Sequence, residues 1–192
     1  MKARLALLAV ISAAVGLNAC GDPNGIQASL PTSVDTLSVF ALSGTPAAYP
    51  SGLAILPRQP VRVDGSGSFD VAFDINSNGE AVIYPVKLVV AAPGTARPVG
   101  LQKVPGLFDA IVDAPKTGFE LDSALVMPVG QVVVVQSLHN TSGDLCQFSL
   151  NPNIFAKIVV DSIATANRVI FFKLGLDPNC GFRSFVAGIP TS

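Results

Sequence analysis

Two adjacent apolar segments near the C-terminus constrain the fold of this chain most strongly. Residues 155–163 and 168–176 are both rich in β-branched and aromatic residues, and a short turn at residues 164–167 separates them. In the second segment every other residue is a large apolar one, so these residues would share one face of a β-strand. The pair predicts an antiparallel hairpin with one buried face; the residues on that face of the second arm are Ile170, Phe172, Leu174 and Leu176.

Short segments with strand character recur along the rest of the chain. Only 13% of the residues are charged, and 17 glycines and 15 prolines interrupt the apolar segments, which is typical of short strands joined by turns. We predict an all-β domain in the form of an antiparallel β-sandwich, with a β-barrel as the alternative and a short helix or strand at residues 106–113. The other strand candidates are residues 34–42, 53–56, 61–63, 68–75, 81–90, 119–127, 131–136, 146–150 and 182–186.

Two of these candidates predict different degrees of burial. Residues 131–136 contain four consecutive valines. Such a segment would promote aggregation if it were exposed, so we expect protein to cover both of its faces in the centre of a sheet. Residues 68–75 instead alternate between apolar residues and residues that are small or acidic, which predicts a half-buried strand.

The first 20 residues predict export. Two basic residues precede an apolar run at residues 5–17, which is too short for a membrane-spanning helix of about 20 residues and fits a secretory signal peptide. Cleavage after Ala19 by an ordinary signal peptidase would place Leu17 where a small residue is preferred. The order Leu17, Asn18, Ala19, Cys20 instead resembles the lipobox of bacterial lipoproteins.

The lipobox resemblance implies cleavage before Cys20 and attachment of acyl chains to that residue. Residues 1–19 are then a signal peptide, residues 20–33 a flexible tether rich in small and polar residues, and residues 34–192 a single domain. Several acyl chains on one residue give stable anchoring, since a single chain binds a bilayer only reversibly. We expect a lipid-anchored, extracytoplasmic protein of the bacterial cell envelope; a cleaved chain with a free Cys20 thiol is the alternative.

The cysteine count fits a lipid-anchored chain. There are three cysteines, and lipid on Cys20 would leave Cys146 and Cys180 to pair in an oxidising compartment. A disulfide between them would stabilise the domain by roughly 3 to 4 kcal/mol through loop entropy. Two cysteines with the single histidine, His139, are too few soft ligands for a zinc site.

One turn carries a weak calcium-binding pattern. Asp74, Asn76, Asn78 and Gly79 match the start of a calcium loop. The twelfth position is Pro85, where the pattern requires a bidentate glutamate. We therefore expect a plain β-hairpin and no cofactor, with calcium at Asp74, Asn76 and Asn78 as the minor alternative.

Catalytic motifs are scarce. Ser137 and His139 would share a face of a strand, but no carboxylate is placed by the sequence to orient the histidine, and no Gly-x-Ser-x-Gly motif occurs. We interpret His139 as an ordinary loop residue. Asp109 and Asp113 would align on a helix, and we interpret them as solvated surface acids.

The charge balance and the missing motifs favour a binding protein. Removal of residues 1–19 changes the count from 12 cations against 13 acids to 10 against 13, a net charge of −3, which argues against a nucleic-acid partner. We expect a noncatalytic binding or structural domain whose loops contact an envelope protein, a glycan or a small ligand, in addition to the membrane contact through the lipid. An extracytoplasmic hydrolase whose acids come together only in the fold is the alternative.

Overall fold

The computed structural model describes residues 27–63 and 68–191. The predicted signal peptide, Cys20 and the first part of the predicted tether lie outside the described residues. No helix within the described ranges is both long enough and apolar enough to cross a membrane. The described residues form ten strands: β1 (Ser33–Phe40), β2 (Pro50–Ala54), β3 (Gln59–Arg62), β4 (Val71–Ile75), β5 (Ala81–Pro85), β6 (Val99–Val104), β7 (Leu125–Met127), β8 (Val132–Leu138), β9 (Asn153–Ala164) and β10 (Val169–Asp177).

These strands form two antiparallel sheets that pack against each other. The first sheet has the order β1-β10-β9-β8-β6, and the second has the order β3-β2-β4-β5-β7. Side chains of both sheets fill one hydrophobic core, in which the rings of Phe73 on β4 and Phe172 on β10 stack with their centroids 5.2 Å apart. The predicted antiparallel β-sandwich is confirmed, and the described strands form no closed barrel.

The predicted C-terminal hairpin is formed by β9 and β10. Their pairing runs from Val169 opposite Ala164 to Asp177 opposite Phe155. All four alternating apolar residues of β10 lie in the core, as the sequence pattern predicts. The hairpin therefore forms the middle of the first sheet, with β1 and β8 on its two sides.

The four valines of β8 are covered on both faces, as predicted. Val133 and Val135 belong to the core between the sheets, whereas Val132 and Val134 belong to a second hydrophobic cluster. All four are fully buried. Loop residues cover this outer side of the first sheet, and they are Phe108, Ile111, Ala114 and Phe185.

β4 is more deeply buried than its alternating pattern predicts. The side assigned to solvent carries Asp70 just before β4 and Ala72 within it, and both residues are buried. The half-buried prediction is wrong here because Ala72 belongs to the hydrophobic core and polar groups of both sheets surround Asp70. A carboxylate is tolerated at this position because several polar groups bond to Asp70.

Three of the predicted strands are shortened or absent. Of residues 119–127, only Leu125–Met127 pairs with β5. Residues 146–150 form turns, and residues 182–186 make a single β-bridge, from Ser184 to Asp113. These segments have the composition of strands, but strand formation depends on packing and pairing with a neighbour as much as on residue type.

Two further segments differ in type from the sequence prediction. The predicted strand at residues 81–90 ends at Pro85, because proline lacks a backbone donor, and a 3-10 helix follows at Val86–Leu88. Residues 106–113 contain the short 3-10 helix Phe108–Ala110. Of the two alternatives predicted for this segment, a short helix or a strand, the structure has a short helix.

The two ends of the sandwich carry different loops. β1 begins at the end where β10 stops, and β8 stops there beside the start of β9. We call this the N-terminal end; it carries the loop at residues 139–152 and the segment after β10. The turns at residues 76–80, 128–131 and 165–168 lie at the opposite end.

The last part of the predicted tether contacts the domain. The side-chain oxygen of Asn179 accepts hydrogen bonds from the backbone N–H groups of Ser29 (2.9 Å) and Leu30 (3.0 Å), and its amide nitrogen donates to the Leu30 carbonyl (2.8 Å). Thr32 forms a β-bridge with Gly188. Residues 29–32 of the predicted tether are therefore hydrogen-bonded to the segment after β10.

Candidate binding site at the N-terminal end

The loop at residues 139–152 is fixed to the domain by a disulfide. Cys146 in this loop bonds to Cys180, which follows β10, and their Cα atoms are 5.6 Å apart. Cys146 is only 1% exposed and belongs to the main core. The predicted pairing is present, and it holds two segments together at the N-terminal end.

A buried polar network holds the same loop from the inside. Arg97, just before β6, donates hydrogen bonds through Nη1 to Asp70 Oδ1 (3.2 Å) and through Nη2 to Asp144 Oδ1 in the loop (3.2 Å). Asp70 also accepts hydrogen bonds from the Ser137 hydroxyl (2.5 Å) and from the Ile55 backbone N–H (2.7 Å). The network therefore links the first sheet, the second sheet and the loop.

His139 takes part in this network as a neutral side chain. Its Nε2 atom lies 3.2 Å from Nη1 of Arg97. A guanidinium group can only donate, so Nε2 accepts and the ring proton is assigned to Nδ1. Burial lowers the pKa of His139, and the charge of Arg97 lowers it further, against the opposing effects of Asp70 and Asp144. The residue is thus more than the ordinary loop histidine that we predicted, because it packs inside the domain at 3% exposure.

Asp144 is held in its charged form. Burial raises the pKa of this carboxyl, but hydrogen bonds from Thr141 and the positive charge of Arg97 outweigh that effect, so its pKa lies below the usual value. The Thr141 hydroxyl donates to Oδ2 at 2.6 Å. An ionised Asp144 therefore provides the loop's ionic contact with Arg97.

The network contains Ser, His and Asp but not the bonding pattern of a hydrolase triad. In a triad the histidine lies between the serine and the carboxylate and accepts the serine proton. Here Ser137 donates directly to Asp70, and His139 faces Arg97. Asp70 is 67 residues from Ser137 in sequence, so only the fold brings the two together.

An open depression of about 560 Å³ lies beside the disulfide. This volume is within the usual range of small-ligand sites, roughly 300–1,000 Å³. A smaller depression of about 280 Å³ shares Cys180 and Phe182 with it. The larger depression combines two cations, one carboxylate, an amide and an aromatic ring, contributed by Asp113, Lys116, Asn151, Phe182 and Arg183.

The walls of the larger depression are held by specific contacts. Arg183 donates through Nε and Nη2 to the Ala114 carbonyl, both at 3.1 Å, and its guanidinium carbon lies 4.5 Å from the centre of the Phe155 ring. Gly181 has φ of +82°, and a Cβ added there would lie 2.8 Å from the Cβ of Asn151. Glycine is required at this position because both the conformation and the space exclude a larger residue.

A buried lysine supports the segment that forms one wall. Lys157 on β9 is 4% exposed, and its Nζ donates to the carbonyls of Phe108 (2.6 Å) and Ile111 (2.9 Å). The same Nζ lies 4.3 Å from the centre of the Phe108 ring. Burial lowers the pKa of Lys157, and Asp109 opposes that shift. Lys157 therefore positions this segment from beneath and does not line the depression.

Asp109 and Asp113, which we interpreted as surface acids, are both exposed. They do not share a helix face, because only the single 3-10 turn Phe108–Ala110 forms in that segment. Asp113 lines the larger depression and forms the bridge to Ser184. Its place in the site depends on this long-range contact.

The residues of the calcium pattern form the turn between the paired strands β4 and β5. The Asp74 carboxylate accepts hydrogen bonds from the Ser43 hydroxyl (2.6 Å) and from Arg168 (3.1 Å). The side-chain oxygen of Asn76 accepts a hydrogen bond from the Asn78 backbone N–H at 2.9 Å, which stabilises the turn. Across residues 27–63 and 68–191, no group of three or more His, Cys, Asp or Glu side chains is placed to hold a metal ion.

No protein-family model, curated protein or solved structure matches this chain.

Proposed function

We propose that this protein is a lipid-anchored domain of the bacterial cell envelope that binds a ligand at its N-terminal end and catalyses no reaction. The lipobox resemblance at Cys20 supports the anchor. The disulfide supports export, since such bonds persist in oxidising compartments. The observation that carries the binding role is the depression of about 560 Å³ beside Cys180.

The shape and charge of this depression suit a small ligand, or the exposed end of a larger one. The disulfide, the Arg183 contacts and the buried Lys157 fix the surrounding segments, so little conformational entropy is lost on binding. Lys116 and Arg183 outnumber the single carboxylate, which favours an anionic group on the ligand. Phe182 offers an apolar surface beside these charges.

The residues that line the depression favour binding over hydrolysis. They include one carboxylate, Asp113, and neither serine nor histidine. Acid–base catalysis by carboxylates needs a second group within reach of the same substrate. Asp70 and Asp144, two acids that the fold brings together, both bond to Arg97 within the structural network.

A charge reversal tests the binding role. Wild-type protein, a Lys116→Glu variant and a Lys103→Glu control are immobilised and exposed to envelope extracts. Both lysines are exposed, but Lys103 lies on the edge strand β6, outside the depression. We expect a ligand or partner that is retained by the wild type and the control and lost with Lys116→Glu. Equal retention by all three proteins, or no retention by any, would contradict the proposal.

A further inference from the structure

The loop at residues 139–152 holds large apolar side chains in solvent. Phe148 is 92% exposed, Leu150 is 94% exposed and Leu145 is 60% exposed. The loop is fixed at Cys146 by the disulfide and at Asp144 by Arg97. Leu145 and Phe148 line the same small depression, and apolar side chains that are held together in solvent mark an interaction surface.

The same loop offers no exposed charge. Its only carboxylate, Asp144, has a side chain 15% exposed and bonded to Arg97. Its only other titratable side chain, His139, is buried, with its pKa lowered. The remaining residues of the loop are uncharged. Entry into an apolar medium would therefore require no desolvation of an exposed ion.

The position of the loop relative to Cys20 identifies what covers it. Gln27 lines the smaller depression together with Leu145 and Phe148. Seven residue steps separate Cys20 from Gln27 and span at most about 25 Å. The 12-residue strand β9 alone spans about 40 Å. Cys20, the residue that the bilayer would hold, can therefore lie beside the N-terminal end but cannot reach the turns at the opposite end.

We propose that Phe148, Leu150 and Leu145 insert into the headgroup and acyl boundary of the membrane in which Cys20 is anchored. The inference rests on the lipid anchor of the proposed function and adds a second, noncovalent contact beside it. Apolar side chains in such contacts enter this boundary by about 5–10 Å. Two contacts on one face fix the orientation of the domain and keep both depressions next to the bilayer.

Single tryptophans test this contact, because the chain contains none. Full-length lipidated Phe148→Trp and Leu150→Trp proteins are reconstituted in vesicles of phosphatidylcholine and phosphatidylglycerol, with and without acyl-brominated phosphatidylcholine. The control is Val129→Trp, which replaces an exposed residue (59%) in a turn at the opposite end. We expect brominated lipid to reduce the tryptophan emission of both loop variants about twofold or more, since side chains inserted by about 5–10 Å approach the brominated acyl chains. The emission of the control should stay unchanged.

Vesicle flotation of the same samples distinguishes a failure of the lipid anchor from a failure of the loop insertion. Protein that floats with vesicles but shows no quenching at either loop position overturns the insertion and leaves the anchor intact. Equal quenching of the Val129→Trp control also overturns it, because the domain then has no fixed orientation. A blue shift without quenching assigns the loop to a second copy of the chain and refutes membrane contact. Protein that does not float overturns both the anchor and the insertion.

Discussion

Removal of the Cys146–Cys180 disulfide should destabilise the domain, and the length of the loop that the bond closes sets the size of the effect. The bond closes a loop with a sequence separation of 34. The loss of chain entropy in the unfolded state makes such a crosslink worth about 4 kcal/mol. For a domain of this size, each kcal/mol shifts the melting temperature by about 2–4 °C, so the variant with alanine at both positions should melt about 8–16 °C lower.

The assay is thermal unfolding followed by circular dichroism on detergent-solubilised protein, with and without reductant. Reduced wild type should unfold close to the double variant, and reductant should not affect the variant itself. Val129→Ala is the control, because it changes an exposed side chain in a turn at the opposite end of the sandwich and should leave the melting temperature unchanged. A decrease of less than about 4 °C on loss of the bond would refute the loop-entropy reasoning.

Three substitutions test the buried polar groups and the close packing. Burial raises the pKa of Asp177, and its Oδ2 has no hydrogen-bond partner among the residues that the structure describes. The folded state then holds the proton more tightly, so stability is lost as pH rises from 3.8 through the raised pKa. Asp177→Asn should therefore raise the melting temperature at pH 7 and change it little at pH 3, and equal effects at both pH values would count against a buried carboxylate. Arg97→Met leaves the carboxylate of Asp70 without its charge partner and should lower the free energy of unfolding, measured in urea, by about 3–5 kcal/mol. A decrease below about 1 kcal/mol would show that charge does not hold the network together. Gly175→Ala places a Cβ 2.9 Å from Cε of Lys157. It should lower the free energy of unfolding in urea by about 1–3 kcal/mol, and an unchanged free energy would mean that the lysine moves freely.

The parts of the fold that were predicted correctly depend on local patterns. The alternation in β10 identifies its buried face, and the consecutive valines of β8 identify a strand covered on both sides. The pairing of Cys146 with Cys180 followed from cysteine parity. Each of these inferences needs only neighbouring residues or a count, so a single sequence suffices.

The incorrect strand predictions have a common physical cause. Residues 146–150 and 182–186 have the apolar composition of strands, but neither pairs with a strand of the two sheets, and the second makes only the single bridge from Ser184 to Asp113. Phe148 lies in the strand predicted at residues 146–150, and its side chain is almost fully exposed in a loop. Composition alone does not distinguish a strand of the core from an apolar loop.

The candidate site was not predictable because its residues are distant in sequence. Lys116 and Asn151 meet around Cys180 only after the strands have paired. Likewise, Arg97 reaches Asp70 across 27 residues and Asp144 across 47. The closest signal in the sequence was the spacing of Ser137 and His139 in the same region, which gave no indication of these partners.

Lipid on Cys20 underlies both proposals, and metabolic labelling with palmitate is its direct test. Cells that express the wild-type chain and a Cys20→Ser variant are labelled in parallel, and the mass of the N-terminal peptide of the mature protein is measured. We predict label on the wild type alone and a mature chain that begins at an acylated Cys20. Unlabelled wild type, or label that persists in the serine variant, would contradict the account.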